Sequence, residues 1–274
     1  MDKNTFKVGD FKLRENEILN ELEKFIQLYE KRPIKNNKGG MEFNNMFYFY
    51  LVLKNKEPSL VIESGVFKGQ STWLIENTLP KSEIISIDID LSQREFISSK
   101  SNYSNVDFKF HDFSKIPYDT LVFFDDHVSH LDRLIESKFF NIKNIVLEDN
   151  YSSNSGDFQT LKQIYNKNIF NHNPGILSLL KTSLIFNKLI INKIFKKNYF
   201  ARKEIDKISK RIRDGYDLKN FDIIKNNISL YYEFPLSIYK MFDNSEEQIK
   251  SIFPENIIKD INKGKSPFTY LELV

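Results

Sequence analysis

Residues 59–73 read Ser-Leu-Val-Ile-Glu-Ser-Gly-Val-Phe-Lys-Gly-Gln-Ser-Thr-Trp, and residues 83–90 read Glu-Ile-Ile-Ser-Ile-Asp-Ile-Asp. Each segment contains an apolar run, which predicts a buried β-strand, and each run ends in an acid, Glu63 or Asp88. Gly65 and Gly69 follow the first run, where glycine lets the backbone approach a ligand closely. The stretch therefore predicts a strand, a glycine turn, a helix and a second strand around a nucleotide-sized crevice. Asp88 is placed to accept both hydroxyls of a ribose.

Three more apolar runs farther along the chain also end in polar residues. Residues 106–110 are followed by His111 and Asp112, residues 120–124 by Asp125, Asp126 and His127, and residues 144–147 by Glu148, Asp149 and Asn150. Helical patterns alternate with these runs, which is typical of a parallel sheet with its site at one edge. We predict an α/β fold, a Rossmann-like doubly wound and mostly parallel sheet with helices on both faces. Residues 229–234 and 268–274 are candidates for a closing antiparallel pair.

Two regions flank this core in the sequence. Apolar residues recur at helical spacing in residues 15–31 and again in 42–54, so we predict an N-terminal helical extension over residues 1–57. The Gly39-Gly40-Met41 segment before the second helix is a candidate for folding over a bound cofactor. The main domain is predicted over residues 58–274, with a helical insertion near 174–226.

Composition excludes several classes of protein. The 274 residues carry a net charge of +3 and no cysteine, which gives no global sign of nucleic-acid binding and excludes disulfides and thiolate metal sites. The N-terminus has no signal-peptide pattern, and no apolar run reaches the length of a membrane span. We expect a soluble, cytoplasmic protein.

Residues 176–197 form an apolar stretch whose only charges are lysines. The plain interpretation is a helix that covers the site or packs in a homodimer. The sharper one is a helix that lies on a membrane surface, with lysines flanking an apolar face.

The sequence Glu63-Ser64-Gly65-Val-Phe-Lys-Gly69, followed by Gln70 and Ser71 and later by Asp88, resembles the first two motifs of class I S-adenosylmethionine-dependent methyltransferases. This resemblance spans roughly residues 42–157. It implies that S-adenosylmethionine is the cofactor and that these residues bind it, Asp88 through the ribose. It further implies that Asp112 lies at the adenine and that Asp125 borders the cofactor. The dinucleotide pattern Gly-x-Gly-x-x-Gly fits less well, because Phe67 and Gln70 stand where its second and third glycines belong.

Two later motifs resemble the metal site of catechol O-methyltransferase and of the macrocin-type sugar O-methyltransferases. These are Asp126-His127 after the fourth strand and Asp149-Asn150 after the fifth. The resemblance implies that Asp126, Asp149 and Asn150 hold Mg²⁺, for which carboxylate and amide oxygens are suitable ligands. Catechol-type enzymes carry a catalytic lysine two residues after the histidine, where this chain has Ser129.

Without that lysine, His127 is the candidate base, with His130 as a weaker one. We predict His127 and Asp126 as the catalytic residues. The sequence leaves open which of Asp125 and Asp126 contacts a metal. The loop at 151–157 is a candidate lid that includes Gly156 and Asp157, and Glu233 is a weaker site candidate.

The expected reaction is methyl transfer to an oxygen of a sugar, a glycan or another small hydroxylated acceptor. The alternatives are a metal-independent methyltransferase, a non-catalytic S-adenosylmethionine-binding protein, and a different enzyme on a similar fold.

Overall fold

The computed structural model describes residues 15–152, 158–166, 224–242, 247, 250–251, 253–264 and 266–274. The predicted insertion near 174–226, the lysine-flanked stretch at 176–197 and the Gly156-Asp157 segment therefore lie almost wholly outside the described residues. The described helices and strands are α1 Glu15–Tyr29, α2 Phe43–Lys56, β1 Leu60–Ser64, α3 Gln70–Thr78, β2 Glu83–Ile87, β3 Ser101–Ser104, β4 Leu121–Phe124, α4 His130–Phe139, β5 Asn144–Leu147, α5 Leu161–Asn166, β6 Ile228–Glu233, α6 Glu255–Asn262 and β7 Thr269–Leu273.

These strands form one seven-stranded sheet in the order β3-β2-β1-β4-β5-β7-β6. The first five run parallel, whereas β7 pairs antiparallel with both β5 and β6. One apolar core packs α1, α2, α3 and α6 on one face, and a second packs α4 and α5 on the other. The predicted Rossmann-like doubly wound sheet, including its closing antiparallel pair, is confirmed.

The central strands owe their apolar sequences to burial on both sides. Every residue of β1 and β4 is buried, as expected for parallel strands that helices cover on both faces. The order of the sheet changes direction between β1 and β4, so their carboxyl ends open a crevice there.

Helix α2 is central to the first core. Every residue from Phe43 to Leu53 is buried, a pattern typical of a helix enclosed on all sides. Phe49 stacks on Phe123 of β4 with ring centroids 4.5 Å apart, and Tyr48 stacks on Phe234 at 4.7 Å. The predicted boundary between an N-terminal extension (1–57) and the main domain (58–274) stays a prediction. These ring contacts pack α2 of that extension directly against the sheet.

The predicted third strand at 106–110 is wrong. The strand that pairs with β2 is β3, five residues earlier, and residues 108–110 form a 3₁₀ turn. Asp107 begins this turn by accepting a hydrogen bond from the Lys109 N–H at 3.1 Å. Phe108 is buried against Phe113 and Phe124, so its apolar character reflects a packed turn.

Candidate functional site

A cavity of about 380 Å³ opens at the carboxyl ends of β1, β2 and β4. This volume is within the usual range for small-molecule sites. Its lining residues are Gly39, Ser64, Gly65, Phe67, Ile87, Asp88, Ile89, Asp90, Gln93, Asp107, Asp125, Asp126, His127, Val128 and Arg133. Five carboxyl groups therefore face one guanidinium, which makes the wall strongly acidic.

The glycine turn after β1 brings backbone against backbone. Gly65 has φ +102°, and a Cβ there would lie 2.1 Å from the Asp125 carbonyl oxygen. The Gly65 N–H donates to the Ile87 carbonyl at 2.8 Å. Only glycine satisfies both the conformation and the contact, so this residue brings the ends of β1, β2 and β4 together at the cavity.

Asp88 lies on the cavity wall and is held by the turn. Its Oδ2 accepts hydrogen bonds from the N–H groups of Val66 at 2.8 Å and Phe67 at 2.9 Å, and its Oδ1 accepts from the Asp90 N–H. A carboxylate has about four accepting positions. The bonds of the described residues thus use three of them and leave accepting capacity on Oδ1.

Glu63, Gly69, Gln70 and Ser71, predicted to bind the cofactor, are buried and do not line the cavity. Glu63 Oε2 accepts from Thr72 Oγ1 at 2.6 Å and Ser86 Oγ at 2.7 Å, and burial raises the pKa of its carboxyl group. The structure therefore places Glu63 beneath the turn, where it joins β1, β2 and α3.

The structure also moves the acid expected near an adenine. Asp112 is exposed, accepts from the Ser114 N–H at 2.9 Å and does not line the cavity. Asp107 lines it instead. β3 ends at Ser104, earlier than predicted. Asp107, three residues after the strand, therefore lines the cavity, and Asp112 lies beyond it.

Arg133 is a site residue that the sequence analysis missed. Only 1% of it is exposed, and it lines the cavity from α4. Its guanidinium forms a two-bond fork with Asp107, both at 3.0 Å, and contacts Asp126 at 2.8 Å and Glu136 at 2.7 Å. The available signal was an arginine three residues after His130 and next to Leu134 in the predicted helix at 131–139.

Asp125 and His127, which line the cavity, form a second group with Asp149. One potential ligand atom from each lies within 4.8 Å of the others. His127 and Asp149 both have φ +57°, in the left-handed region. Such backbone geometry is costly for residues other than glycine and is concentrated at functional sites.

Asp126 and Asn150, both predicted as metal ligands, are used otherwise. Asp126 accepts a hydrogen bond from Ser64 Oγ and is paired with Arg133. This ion pair argues against Asp126 as the catalytic base. The Asn150 amide donates to Tyr231 Oη and Thr269 Oγ1, and its oxygen accepts from the Lys162 N–H. Of the acids that follow β4 and β5, Asp125 and Asp149 come together with His127, whereas Asp126 and Asn150 have the partners given above.

The half-buried Asp125 of this group lies next to the buried Glu148. Burial, and then the charges of Glu148 and Asp149, raise the pKa of Asp125 well above its usual range. Burial, followed by the charge of Asp149, raises the pKa of Glu148 to about 7. Asn45 of α2 donates to Glu148 Oε1 at 2.8 Å. Protons or a cation must therefore offset the clustered acids.

His130 has a structural environment. It is buried, its Nε2 lies 3.1 Å from the Glu148 carbonyl oxygen, and its Nδ1 accepts from the Leu161 N–H at 3.3 Å. Burial lowers its pKa to about 3. A neutral imidazole with both nitrogens engaged does not act as a base. Glu233, the weaker candidate, is paired with Lys162.

No protein-family model matches the chain, and no curated protein matches it. Among solved structures, the O-methyltransferase TomG from Streptomyces achromogenes, in complex with SAM, is 9% identical, with a TM-score of 0.45 over 96% of this chain and 92% of that one. The plantazolicin methyltransferase BpumL, in complex with SAH, is 15% identical, with a TM-score of 0.40 over 92% of this chain and 89% of that one.

The structure described as "cmcI-N160 SAH" is 16% identical, with a TM-score of 0.35 over 40% of this chain. The match spans 62% of that chain, and 51% of the related apo structure. Similarities at this level identify neither an activity nor a substrate. The sheet order and the site geometry above are what define the fold and its crevice.

Proposed function

We propose that this protein is an S-adenosylmethionine-dependent methyltransferase that acts on an oxygen acceptor with the help of a divalent cation. The observation that carries the proposal is the acid-lined cavity at the glycine turn, which Asp88 and Asp107 both line. An adenosine ligand that carries positive charge fits such a wall.

The negative charge of the cavity wall favours S-adenosylmethionine over a dinucleotide cofactor. A pyrophosphate needs open backbone N–H groups at a helix N-terminus. Here the N–H groups of Val66 and Phe67 already donate to Asp88, and the cavity wall carries five carboxyl groups. A sulfonium and an ammonium group are attracted by the same wall that repels phosphates.

The residues present fit the cofactor. We assign the ribose hydroxyls to Asp88 through Oδ1, the adenine side to Asp107, and the amino-acid side to the backbone near Ser64 and Gly65. When bound, S-adenosylmethionine supplies a methyl group that its sulfonium already activates. The protein's task is then to orient an acceptor oxygen and to exclude water, and such positioning can supply a large part of the rate.

We assign Asp125 and Asp149 as the ligands of the cation. Two carboxylates with potential ligand atoms within 4.8 Å of each other suit a hard divalent ion such as Mg²⁺ or Mn²⁺. Such an ion, when bound, lowers the pKa of a hydroxyl group that it contacts. His127 is exposed at the same edge, and we assign it the acceptor's proton.

The acceptor itself is proposed from the resemblance alone, as a sugar, a glycan or another small hydroxylated molecule. The described helices include none with the length and apolar character required to cross a bilayer. Cytoplasmic location, a homodimer and contact of 176–197 with a membrane surface stay predictions.

Calorimetry with S-adenosylhomocysteine is the first test, and we expect binding in the micromolar range typical of cofactor sites (about 1–100 μM). Absence of binding at millimolar concentration would refute the proposed class. Divalent-cation dependence is tested with a chelator and with Asp149→Ala, each expected to lower methyl transfer by about 100-fold or more. Unchanged turnover would leave a metal-independent methyltransferase, and binding without turnover on any hydroxylated acceptor would indicate a non-catalytic protein.

A further inference from the structure

Asp125 and Asp126 are neighbours in sequence but have different surroundings. Asp126 accepts hydrogen bonds from Ser64 Oγ at 2.5 Å and from the Val128 N–H at 3.2 Å, and it is 2.8 Å from Arg133. Asp125 has no such cation beside it in the described part of the chain and lies in the group with His127 and Asp149. A buried guanidinium therefore lies beside Asp126, whereas the neighbours of Asp125 include the acids Glu148 and Asp149.

We propose that Arg133 is a positioning residue that divides the two aspartates between two tasks, holding Asp126 at the cofactor cavity and leaving Asp125 for a divalent cation. This inference rests on the proposed function, since it concerns how the same site separates its two ligands. Arg133 acts through its partners and is not assigned a contact with the reacting atoms.

Arg133 acts first through its charge. Arg133 is almost completely buried and contacts three carboxylates, those of Asp107, Asp126 and Glu136. A buried carboxylate that loses its only cationic partner is strongly disfavoured unless it finds a proton or another cation. Pairing with Arg133 thus prevents Asp126 from joining Asp125 and Asp149, where three carboxylates would repel one another.

Arg133 also fixes the orientation of Asp107. The two Nη atoms of Arg133 meet the two oxygens of Asp107 in a planar fork, a geometry that fixes a carboxylate more firmly than a point charge does. Phe108 and Phe124 lie against the guanidinium, with ring centroids 5.6 and 5.7 Å from its central carbon. The fork and the rings together hold Asp107 in a fixed orientation on the cavity wall.

The proposal predicts opposite effects on the two ligands. In Arg133→Met, Mn²⁺ should bind at least about threefold more tightly, because a positive charge near the site is lost and Asp126 is released. S-adenosylhomocysteine should bind at least about fivefold more weakly, because Asp107 is no longer held. Mn²⁺ binding is followed by electron paramagnetic resonance of the free ion and S-adenosylhomocysteine binding by calorimetry, on the full chain in both cases.

Two further variants separate charge from geometry. Arg133→Lys keeps the charge and loses the fork, so Mn²⁺ affinity should stay within about twofold while S-adenosylhomocysteine affinity still falls. The double variant Asp126→Asn with Arg133→Met removes both charges and should return Mn²⁺ affinity to within about twofold of the original value. Glu136→Gln, which removes the Arg133 partner outside the cavity, is the matched control and should change neither affinity by more than about twofold.

The outcomes are distinguishable. If the unmodified protein does not bind S-adenosylhomocysteine, the proposed function fails. If it binds S-adenosylhomocysteine but not Mn²⁺, the division of tasks is refuted and the cofactor assignment stands. If both ligands bind and the Arg133 variants weaken both together or change neither, Arg133 is a purely structural residue and the inference is wrong. Should Arg133→Met fail to fold, Arg133→Lys and the double variant decide the matter.

Discussion

Two walls of the same crevice are built in different ways. The first, here the cofactor wall, consists of Gly65, Asp88 and Asp107, and its acids accept hydrogen bonds from backbone N–H groups and from Arg133. The second, here the cation wall, consists of Asp125, His127 and Asp149. Asp149 accepts a hydrogen bond from Ser266 Oγ, but its carboxyl group and that of Asp125 also face each other and Glu148. An acid that is paired with donors is stable alone, whereas facing acids need a proton or a cation. The cofactor wall is therefore preformed, and the cation wall depends on what binds to it.

The largest effect is expected from the backbone of the cofactor wall. Gly65→Ala should lower the free energy of unfolding by about 3 kcal/mol or more, because the new Cβ meets the Asp125 carbonyl oxygen and φ is positive. Gly39→Ala is the matched control, since Gly39 also lines the cavity with φ +89° but has open space, with nothing within 4 Å, where a Cβ would lie. Its cost should be only about 1 kcal/mol, from the conformation alone.

Urea denaturation of both variants measures this difference. An equal loss in the free energy of unfolding for the two variants would mean that the close approach of β1 and β4 is not needed. The cofactor wall would then not depend on Gly65.

The next effect is a pH dependence that belongs to the cation wall. Burial raises the pKa of Glu148 to about 7, above the value near 4.5 expected in the unfolded chain. The folded state therefore binds more protons between these values. The resulting stabilisation is complete below about pH 4.5 and is lost as pH rises through about 7, by up to ~3 kcal/mol.

Thermal unfolding at a series of pH values without divalent cations measures this loss. Glu148→Gln should flatten the profile, and added Mg²⁺ should restore stability above pH 7 because a cation replaces the proton. A flat profile in the unmodified protein would show that the acids of the cation wall do not share a proton.

A smaller effect compares two acids that follow β3. Asp107→Asn should weaken S-adenosylhomocysteine binding about tenfold, because it disrupts the fork with Arg133 at the cavity wall. Asp112→Ala should change the affinity less than about twofold, since Asp112 is exposed outside the cavity. Calorimetry on the two variants decides the assignment, and a stronger effect from Asp112 would restore the position first predicted for the adenine acid.

The two walls also differ in how much of them the sequence could predict. Gly65 and Asp88 were recognisable because strand ends, tight turns and the residues between them are local features of the chain. Asp107 was missed because the apolar residues of a packed 3₁₀ turn, such as Phe108, resemble those of a strand, and this displaced the predicted strand end.

The cation wall was predicted in outline only. The acids after β4 and β5 were recognised, but the choice between Asp125 and Asp126 depends on Arg133 of α4, and the fate of Asn150 depends on Tyr231 and Thr269. Such contacts join residues far apart in the chain, and no local pattern encodes them. The helices that bring these residues together were predictable, whereas the pairing of their side chains was not.

The enclosed helix α2 has a consequence for how the protein is made. Its aromatic side chains meet Phe123, Phe234 and Phe268, all of which leave the ribosome much later than residues 43–53. Until β4 and then β7 emerge, α1 is the described helix that can cover α2, and the rest of its apolar surface is exposed, a state prone to aggregation. Synthesis of this protein therefore has a long vulnerable interval, in which chaperones that bind apolar segments would be needed most.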